Sequence, residues 1–485
     1  MDTKSLLFIG GDISGIQKFI YNISSKKAAV SLKGRSAYLV EYTERICNGL
    51  LQIPLIANCS RKEIIYCSGG KFYVIAEDTP DIRKAITDYA DKVEAELWHD
   101  HYGQLGIAIA YLSFCFTSRE ETQVIVNGKK DKIGLLWTEM TTLFTAKKNR
   151  KFHHLLTEEY DSFFEVQNVG GDVHVCAITG IESDECVKLD KDENGDSIWV
   201  LPSVKEQVEL GSKLRAKENF KTFEEYAKDE KGNSTYLGIL RMDVDKLGSR
   251  FYNGFGSLQS YTRFSERLKK FFDDTVPSIQ QKSSIQQKPC YKDHLNIIYA
   301  GGDDLFVVGR WDKVIEFAAD VRSAFMKHTA GENLSISGGM AIVGAKFPIA
   351  KAAEMAGDAE DKAKEYNNGQ KNAICFLGET VGWDNEFDEV RTLKDEFCYQ
   401  IINNSLSQGI LHQLMKYAAM ATAGKSFNYL WHSAYYLTRL TERCSPAAKN
   451  FVQDLRNQRL TKGVRQYQLT ALAARWAELE LKITK

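Results

Sequence analysis

Proline is scarce in this chain, seven in 485 residues, and no Pro-, Gly- or Ser-rich stretch separates one part from another. Flexible or polyproline linkers are thereby excluded as the organising device, and the parts are expected to pack as one body. No run reaches the roughly 18 apolar residues of a membrane helix, and the N-terminus has no leader pattern, so no membrane partner is expected. Net charge is also missing. The formal value is −1, so any RNA contact must come from local patches such as Lys26-Lys27, Lys33 with Arg35, or Lys147 to Lys151. Charge runs of that kind are more often solvated faces. Ten cysteines without regular spacing argue against a disulfide framework and suit a reduced, cytoplasmic compartment. What the chain does have is 44% hydrophobic content, enough for several domains with proper cores.

Residues 297–308, IIYAGGDDLFVV, are the most informative stretch. Ile297 to Tyr299 and Leu305 to Val308 suit buried strands, and Gly301-Gly302 suits a tight reversal. Asp303 and Asp304 then sit at a hairpin tip whose flanks are too apolar for a surface loop. Adjacent carboxylates repel each other and resist desolvation, so a compensating cation is implied. Mg²⁺ fits, because it takes one or two carboxylates and leaves positions for water and phosphate oxygens. An ordinary Gly-Asp turn with solvated acids is the plain alternative for this segment alone.

A second acidic strand, YLGILRMDVDKLG (236–248), carries Asp243 and Asp245. Acids inside such an apolar run are disfavoured unless partnered. Helical patterning over 257–279, 311–330 and 348–366, with a strand over 335–343, gives the order β-α-β-β-α-β. That order is ferredoxin-like and is the plan of nucleotide-polymerising palm domains. The first strand and the hairpin would lie side by side, bringing Asp243 to Asp303 and Asp304 as a site for paired metal ions.

The pattern occurs twice. SLLFIGGDISGIQ (5–17) matches 236–248, and IIYCSGGKFYVIA (64–76) matches 297–309, at offsets of about 231 and 233 residues. Matched order and near-equal offsets point to duplication. Asp12 falls on Asp243, whereas Ser14 replaces Asp245 and Gly70 and Lys71 replace Asp303 and Asp304. One palm keeps the acid pair and the other has lost it, with nucleotide expected between them.

Together these residues resemble the large palm-domain subunit of type III CRISPR effector complexes, of the Csm type. The resemblance rests on GDISGIQKFIY (11–21), LKGRSAYLVEYTERI (32–46), MDVDKLG, YAGGDDLFVVG, ISGGMAIV and PIAKAAEMAGDAEDKAKEYNNGQKNAICFLG, and spans nearly the whole chain. It implies synthesis of cyclic oligoadenylates from ATP, with release of pyrophosphate, when the complex holds target RNA. It further implies Mg²⁺ or Mn²⁺ on Asp243, Asp303 and Asp304, and Gly301 and Gly302 close to phosphates. Ser14, Gly69 and Gly70 would line a second nucleotide pocket, with Lys371 near the triphosphate. The implied partners are CRISPR RNA, target RNA, and the small and backbone subunits of such a complex.

The chain departs from the family in two places. An HD phosphohydrolase unit usually comes first, but here the only His-Asp dipeptide is His99-Asp100 at a helix end, so DNA cleavage is not expected. The family's paired cysteines are reduced to Cys176 and Cys186, too few for the four ligands of structural zinc. DKDENGD (190–196) begins like a calcium loop but has Leu201 where the closing Glu belongs.

The expected fold class is α+β, with two ferredoxin-like βαββαβ palms, an inserted α/β domain and a C-terminal helical bundle. The expected limits are 1–118 for the degenerate palm, 119–234 for the insertion, 235–380 for the GGDD palm and 381–485 for the helices. In the last part Leu411, Leu414 and Met415 share a helix face, and Tyr417, Tyr429, Trp431 and Tyr435 are expected in the core. Two other readings remain open, a relative of the diguanylate cyclases and a catalytically silent scaffold for an RNA complex.

Overall fold

The computed structural model describes residues 5–24, 27–118, 120–158, 160–164, 173–191, 197–233, 235–281, 290–424 and 427–484. It is a mixed α/β molecule built on two six-stranded sheets. The first contains β1 (Leu6–Ser14), β2 (Glu63–Ser68), β3 (Lys71–Glu77), β4 (Gly106–Phe116), β5 (Gln123–Val126) and β6 (Lys129–Lys132), in the order β2-β3-β1-β4-β5-β6. Two short hairpins follow, β7 (His174–Val175) with β8 (Glu182–Ser183), and β9 (Val187–Lys191) with β10 (Ser197–Val200). The second large sheet contains β11 (Tyr236–Val244), β12 (Leu295–Gly301), β13 (Asp304–Arg310), β14 (Ile336–Gly344), β15 (Ala373–Phe376) and β16 (Glu379–Gly382), in the order β12-β13-β11-β14-β15-β16. The spatial order is the same in both.

Alternation along β1 explains why it lies inside. Leu7 and Ile9 face one core with helices α1 (Ile16–Tyr21), α2 (Ala28–Gln52) and α3 (Pro80–His101). Leu6 and Phe8 face another, beneath Leu135, Trp137, Met140 and Phe144 of α4 (Leu135–Lys148). A sheet covered on both faces needs apolar residues at both parities, and β1 has them. The second sheet repeats the plan. Leu240 and Met242 pack under α5 (Leu258–Lys270) and α6 (Trp311–His328), while Leu237 and Ile239 meet Ala352, Ala353 and Ala356 of α7 (Ile349–Gly369). Small residues let α7 lie close, since a Cβ at Gly339 of β14 would meet the α7 backbone at 2.0 Å.

Several expectations change. The first sheet does not close at residue 118. It continues through β5 and β6, strands too short or too charged (KKDK) to stand out by pattern, and α4 then covers one face. Only β13 of the hairpin lies beside β11, and β12 is the sheet edge. Arg35 is 1% exposed and donates to Gln207 and to the carbonyls of Phe19 and Asn22, so it is a core anchor and not an RNA contact. Lys33 is likewise spent on the Ile297 carbonyl and Glu218. Lys26 and most of the DKDENGD turn, from residue 192, lie outside the described residues.

Cys176 and Cys186 are buried together near the β7–β8 hairpin, but among the described residues no third metal-binding side chain joins them. The C-terminal part is helical, with Glu386–Ile402, Gly409–Thr422, Asn428–Arg443 and Val464–Thr484. Tyr417 and Tyr429 are buried, but Trp431 and Tyr435 are 57% and 62% exposed. Tyr429, Ser433 and Leu437 form the inward stripe of Asn428–Arg443, which turns positions 431 and 435 to solvent.

Candidate active site

The acids come together because two adjacent strands end at the same level. Asp243 of β11 pairs with Asp304 of β13 on one side and with Ser337 of β14 on the other. The Val244 N–H donates to the Asp303 carbonyl at 3.1 Å, which closes the corner. One carboxylate oxygen each from Asp243, Asp303 and Asp304 lies within 4.8 Å of the others, and all three residues are half-buried. Burial, then Asp303 and Asp243, push the Asp304 carboxyl well above its usual range. Burial and Asp243 raise Asp303 too, against the pull of Lys71 and Lys364. Three hard oxygens whose mutual repulsion the nearby lysines offset only in part have the donor chemistry of a Mg²⁺ or Mn²⁺ site.

A lysine that sequence reasoning missed closes the site. Lys364 of α7 lies 2.7 Å from Asp243 and 2.5 Å from Glu360, which is 3.1 Å from Arg241. Burial opposes its charge, but Asp243 and Glu360 more than compensate and raise its pKa. A signal was available. Glu360 falls on the inward Ala352–Ala356–Ala363 stripe, and an acid there needs a cation one turn away. Lys371, by contrast, lies past the end of α7 in a left-handed conformation (φ 68°), with its N–H on the Tyr366 carbonyl. No described contact takes its side chain to the carboxylates.

The two hairpins meet tip to tip. A Cβ on Gly302 would lie 3.2 Å from Gly69 Cα, and a Cβ on Gly69 would lie 3.1 Å from Gly302 Cα. The Gly302 N–H donates to Ser68 Oγ at 3.1 Å. Tyr66 and Tyr299 occupy matching places and cross over, each bringing its hydroxyl to the other palm's glycine, 3.2 and 3.3 Å from the Cβ positions. Gly302 and Gly69 have φ of +66° and +61°, so both turns require glycine. Gly70 packs against Ile16, and Ser14 donates to the Gly106 carbonyl at 3.3 Å, so neither has a free polar group aimed at the trio. Beside Asp303 a cavity of about 210 Å³ is walled by Tyr66, Lys71, Tyr73, Trp137 and Phe251. Aromatic walls with a cation next to carboxylates suit a nucleotide's base and phosphates.

Comparison with known proteins agrees with this geometry. Residues 236–375 match the family model of the Cas10/Cmr2 second palm domain, and residues 5–168 that of Csm1 subunit domain B. A relative from Enterococcus italicus, named a CRISPR system single-strand-specific deoxyribonuclease Cas10/Csm1 of subtype III-A, is 26% identical over 475 residues. The match covers 83% of this chain and 58% of that protein. A Streptococcus thermophilus protein of the same name is 26% identical, with coverage of 91% and 63%. The chain thus spans less than two thirds of the length of these relatives. Among solved structures, a Csm1-Csm4 cassette in complex with pppApA superposes with a TM-score of 0.69 at 18% identity, covering 99% of this chain and 70% of that one. A cassette with one ATP gives 0.67.

Proposed function

We propose that this chain, which belongs to the Csm-type large-subunit family of Cas10 proteins, joins ATP molecules into cyclic oligoadenylates and releases pyrophosphate. The observation that carries the reading is the convergence of Asp243, Asp303 and Asp304 beneath a Gly-Gly turn, at a cleft between two palms. Asp243, Asp303 and Asp304 would hold a magnesium or manganese ion, whose Lewis acidity would polarise the α-phosphate and lower the pKa of the attacking 3′-hydroxyl. Everything else is work for the chain. Gly301 and Gly302 let backbone approach the phosphates. Lys364, poised between Asp243 and Glu360, is the cation we assign to the triphosphate, in place of Lys371. The aromatic cavity beside Asp303 takes one base. The silent palm presents the second nucleotide from around Ser14, Gly69 and Gly70, so donor and acceptor are held together.

Solved Csm1-Csm4 cassettes that share this fold are complexes with ATP, AMPPNP, cA3 or cA4, which supports the substrate and product class. A Csm4-like subunit is a partner by the same reasoning, and membership of the family implies CRISPR RNA and target RNA, with target RNA as activator. The deoxyribonuclease activity in the relatives' name is not carried over. Among the described residues, the acid trio is the one cluster with metal-binding geometry.

The test is to supply labelled ATP or GTP with Mn²⁺ to the full chain, alone and in an assembled complex with target RNA. Cyclic oligoadenylate and pyrophosphate are expected from ATP. A product from GTP alone would favour a diguanylate-cyclase-like enzyme, and no turnover in any setting would favour a scaffold.

A further inference from the structure

Asp245 is the carboxylate of the MDVD strand that the proposed reaction leaves unused. It is 0% exposed. Its Oδ2 collects three donors: Ser335 Oγ at 2.7 Å, Ser337 Oγ at 2.9 Å and the Asn372 N–H at 3.1 Å. Its Oδ1 has no partner. The Asp245 N–H donates to the Ser335 carbonyl at 2.8 Å, and Ser337 Oγ also accepts from the Ala373 N–H at 3.4 Å.

Three segments therefore meet on one oxygen: the end of β11, the start of β14, and the turn from α7 into β15. That turn is strained. Asn367, Asn368, Lys371 and Asn372 all have positive φ, between 49° and 68°, a region that side-chain-bearing residues rarely adopt. Contacts outside the turn must hold it. The Asn372 amide reaches Asp384 at 2.7 Å, the Trp383 N–H reaches the Asn372 carbonyl at 3.0 Å, and Asp245 completes the set from the strand side. The helix that ends there carries Glu360 and Lys364, and Lys364 lies on Asp243, two residues before Asp245.

A wholly enclosed carboxylate with one orphan oxygen is costly, and a smaller polar group would cost less. The silent palm has made that change. Ser14 stands at the matching place with one bond to Gly106, and there β4 leads to β5 with no helix between them among the described residues. The copy that retains the acid trio also retains the buried acid.

We propose that Asp245 is a positioning residue for nucleotidyl transfer, a clamp that fixes α7 and its Lys364 against the strand bearing Asp243. This rests on the reaction assigned above. It acts through the hydrogen bonds at Oδ2 and touches no nucleotide.

Asp245→Asn keeps an oxygen for the three donors, whereas Asp245→Ser leaves only the short group found in the other palm. Two measurements separate them: kcat and KM for ATP in the assembled, target-bound complex, and amide hydrogen exchange over 370–376 in the full chain. Asp245→Ser should lower kcat about 30-fold with KM for ATP within about 2-fold, because misplacement costs rate more than ground-state binding. It should also deprotect the Asn372 and Ala373 amides. Asp245→Asn should recover kcat to within about 3-fold and restore protection, since the clamp and not the charge is at work. Should Asp245→Ser melt too low to assay, Ser335→Ala with Ser337→Ala removes two of the three donors and should give an intermediate loss of both rate and protection.

Wild-type kcat and protection in Asp245→Ser, or an Asp245→Asn variant as impaired as Asp245→Ser, overturns the proposal. If wild type makes no oligoadenylate in any setting, the reaction reading fails separately. Unchanged exchange in Asp245→Ser then refutes the clamp, and raised exchange upholds it as a clamp of the fold.

Discussion

Each six-stranded sheet holds an Asp–Lys ion pair at the end of its central strand. Asp12 of β1 lies 2.7 Å from Lys148 of α4, and Asp243 of β11 lies 2.7 Å from Lys364 of α7. In both sheets the acid faces the first residue of the returning hairpin strand, Lys71 in one and Asp304 in the other. What differs is the hairpin. Opposite Lys71, the Asp12–Lys148 pair leaves no negative charge over. Against Asp303 and Asp304 the pair of Asp243 and Lys364 leaves negative charge over, and that surplus is what can draw in a divalent cation and a triphosphate. Each sheet thus carries a strand-to-helix salt bridge, although the two helices enter at different points of the chain order. Two substitutions at a turn decide whether it serves architecture alone.

The sharpest way to break this contrast is to remove the surplus. Asp303→Asn with Asp304→Asn should lower oligoadenylate synthesis at least about 1,000-fold, as loss of a metal's charge stabilisation requires. The metal-free variant should melt no lower than wild type, because two repelling acids have gone. Product above a few per cent of wild type would place the chemistry elsewhere.

Next come the paired lysines. Lys364→Met should cost about 100-fold in kcat by removing one oriented cation. Lys148→Met should leave kcat within about 3-fold and lower stability by roughly 1 kcal/mol, a modest figure because that pair is partly solvated. Equal loss of activity from both would mean that the silent palm takes part in the chemistry.

Metal binding should show in melting curves. Millimolar Mn²⁺ should raise the melting temperature of wild type by several degrees, as about 2.7 kcal/mol at 100-fold excess over the dissociation constant implies. The Asp303→Asn, Asp304→Asn chain should not respond.

The smallest effect is a difference in pH response. His101, at the end of α3 beneath the first sheet, is 4% exposed, and burial followed by Arg35 and Arg45 lowers its pKa to about 4. Because the unfolded histidine binds its proton at higher pH, this group weakens the fold as pH falls from about 6.5 towards 4. The raised carboxyls of Asp303 and Asp304 act in the opposite sense and weaken the metal-free fold as pH rises above the ordinary carboxylate range. His101→Gln should flatten the acid limb of a melting-temperature profile, and Asp303→Asn with Asp304→Asn the alkaline limb.

The features legible in the sequence were those where a residue contradicts its surroundings. Acids in apolar strands marked Asp243, Asp303 and Asp304, and repetition of that anomaly at matching intervals marked the second sheet. Residues whose partners are distant were not legible. Arg35 and Lys33 read as surface charge, because nothing nearby announces Gln207, Ile297 or Glu218, each more than 170 residues away. Lys364 was passed over for Lys371, since a lysine in a Gly/Asn-rich turn looks more available than one inside a helix. Trp431 and Tyr435 were expected in the core on hydrophobicity alone, and helix phase overruled it.

The contact of Gly69 with Gly302 has a consequence for kinetics. Each turn is seated on the other within a single chain, so the meeting of the two palms is not a collision. A cyclase built from separate palms loses specific activity on dilution, as its dimer dissociates. Here the local concentration of one palm around the other is set by the intervening residues and does not change with dilution. Turnover per chain should therefore stay constant down to the concentration at which whatever activates the chain falls away, so the output would count activated molecules rather than the square of their number.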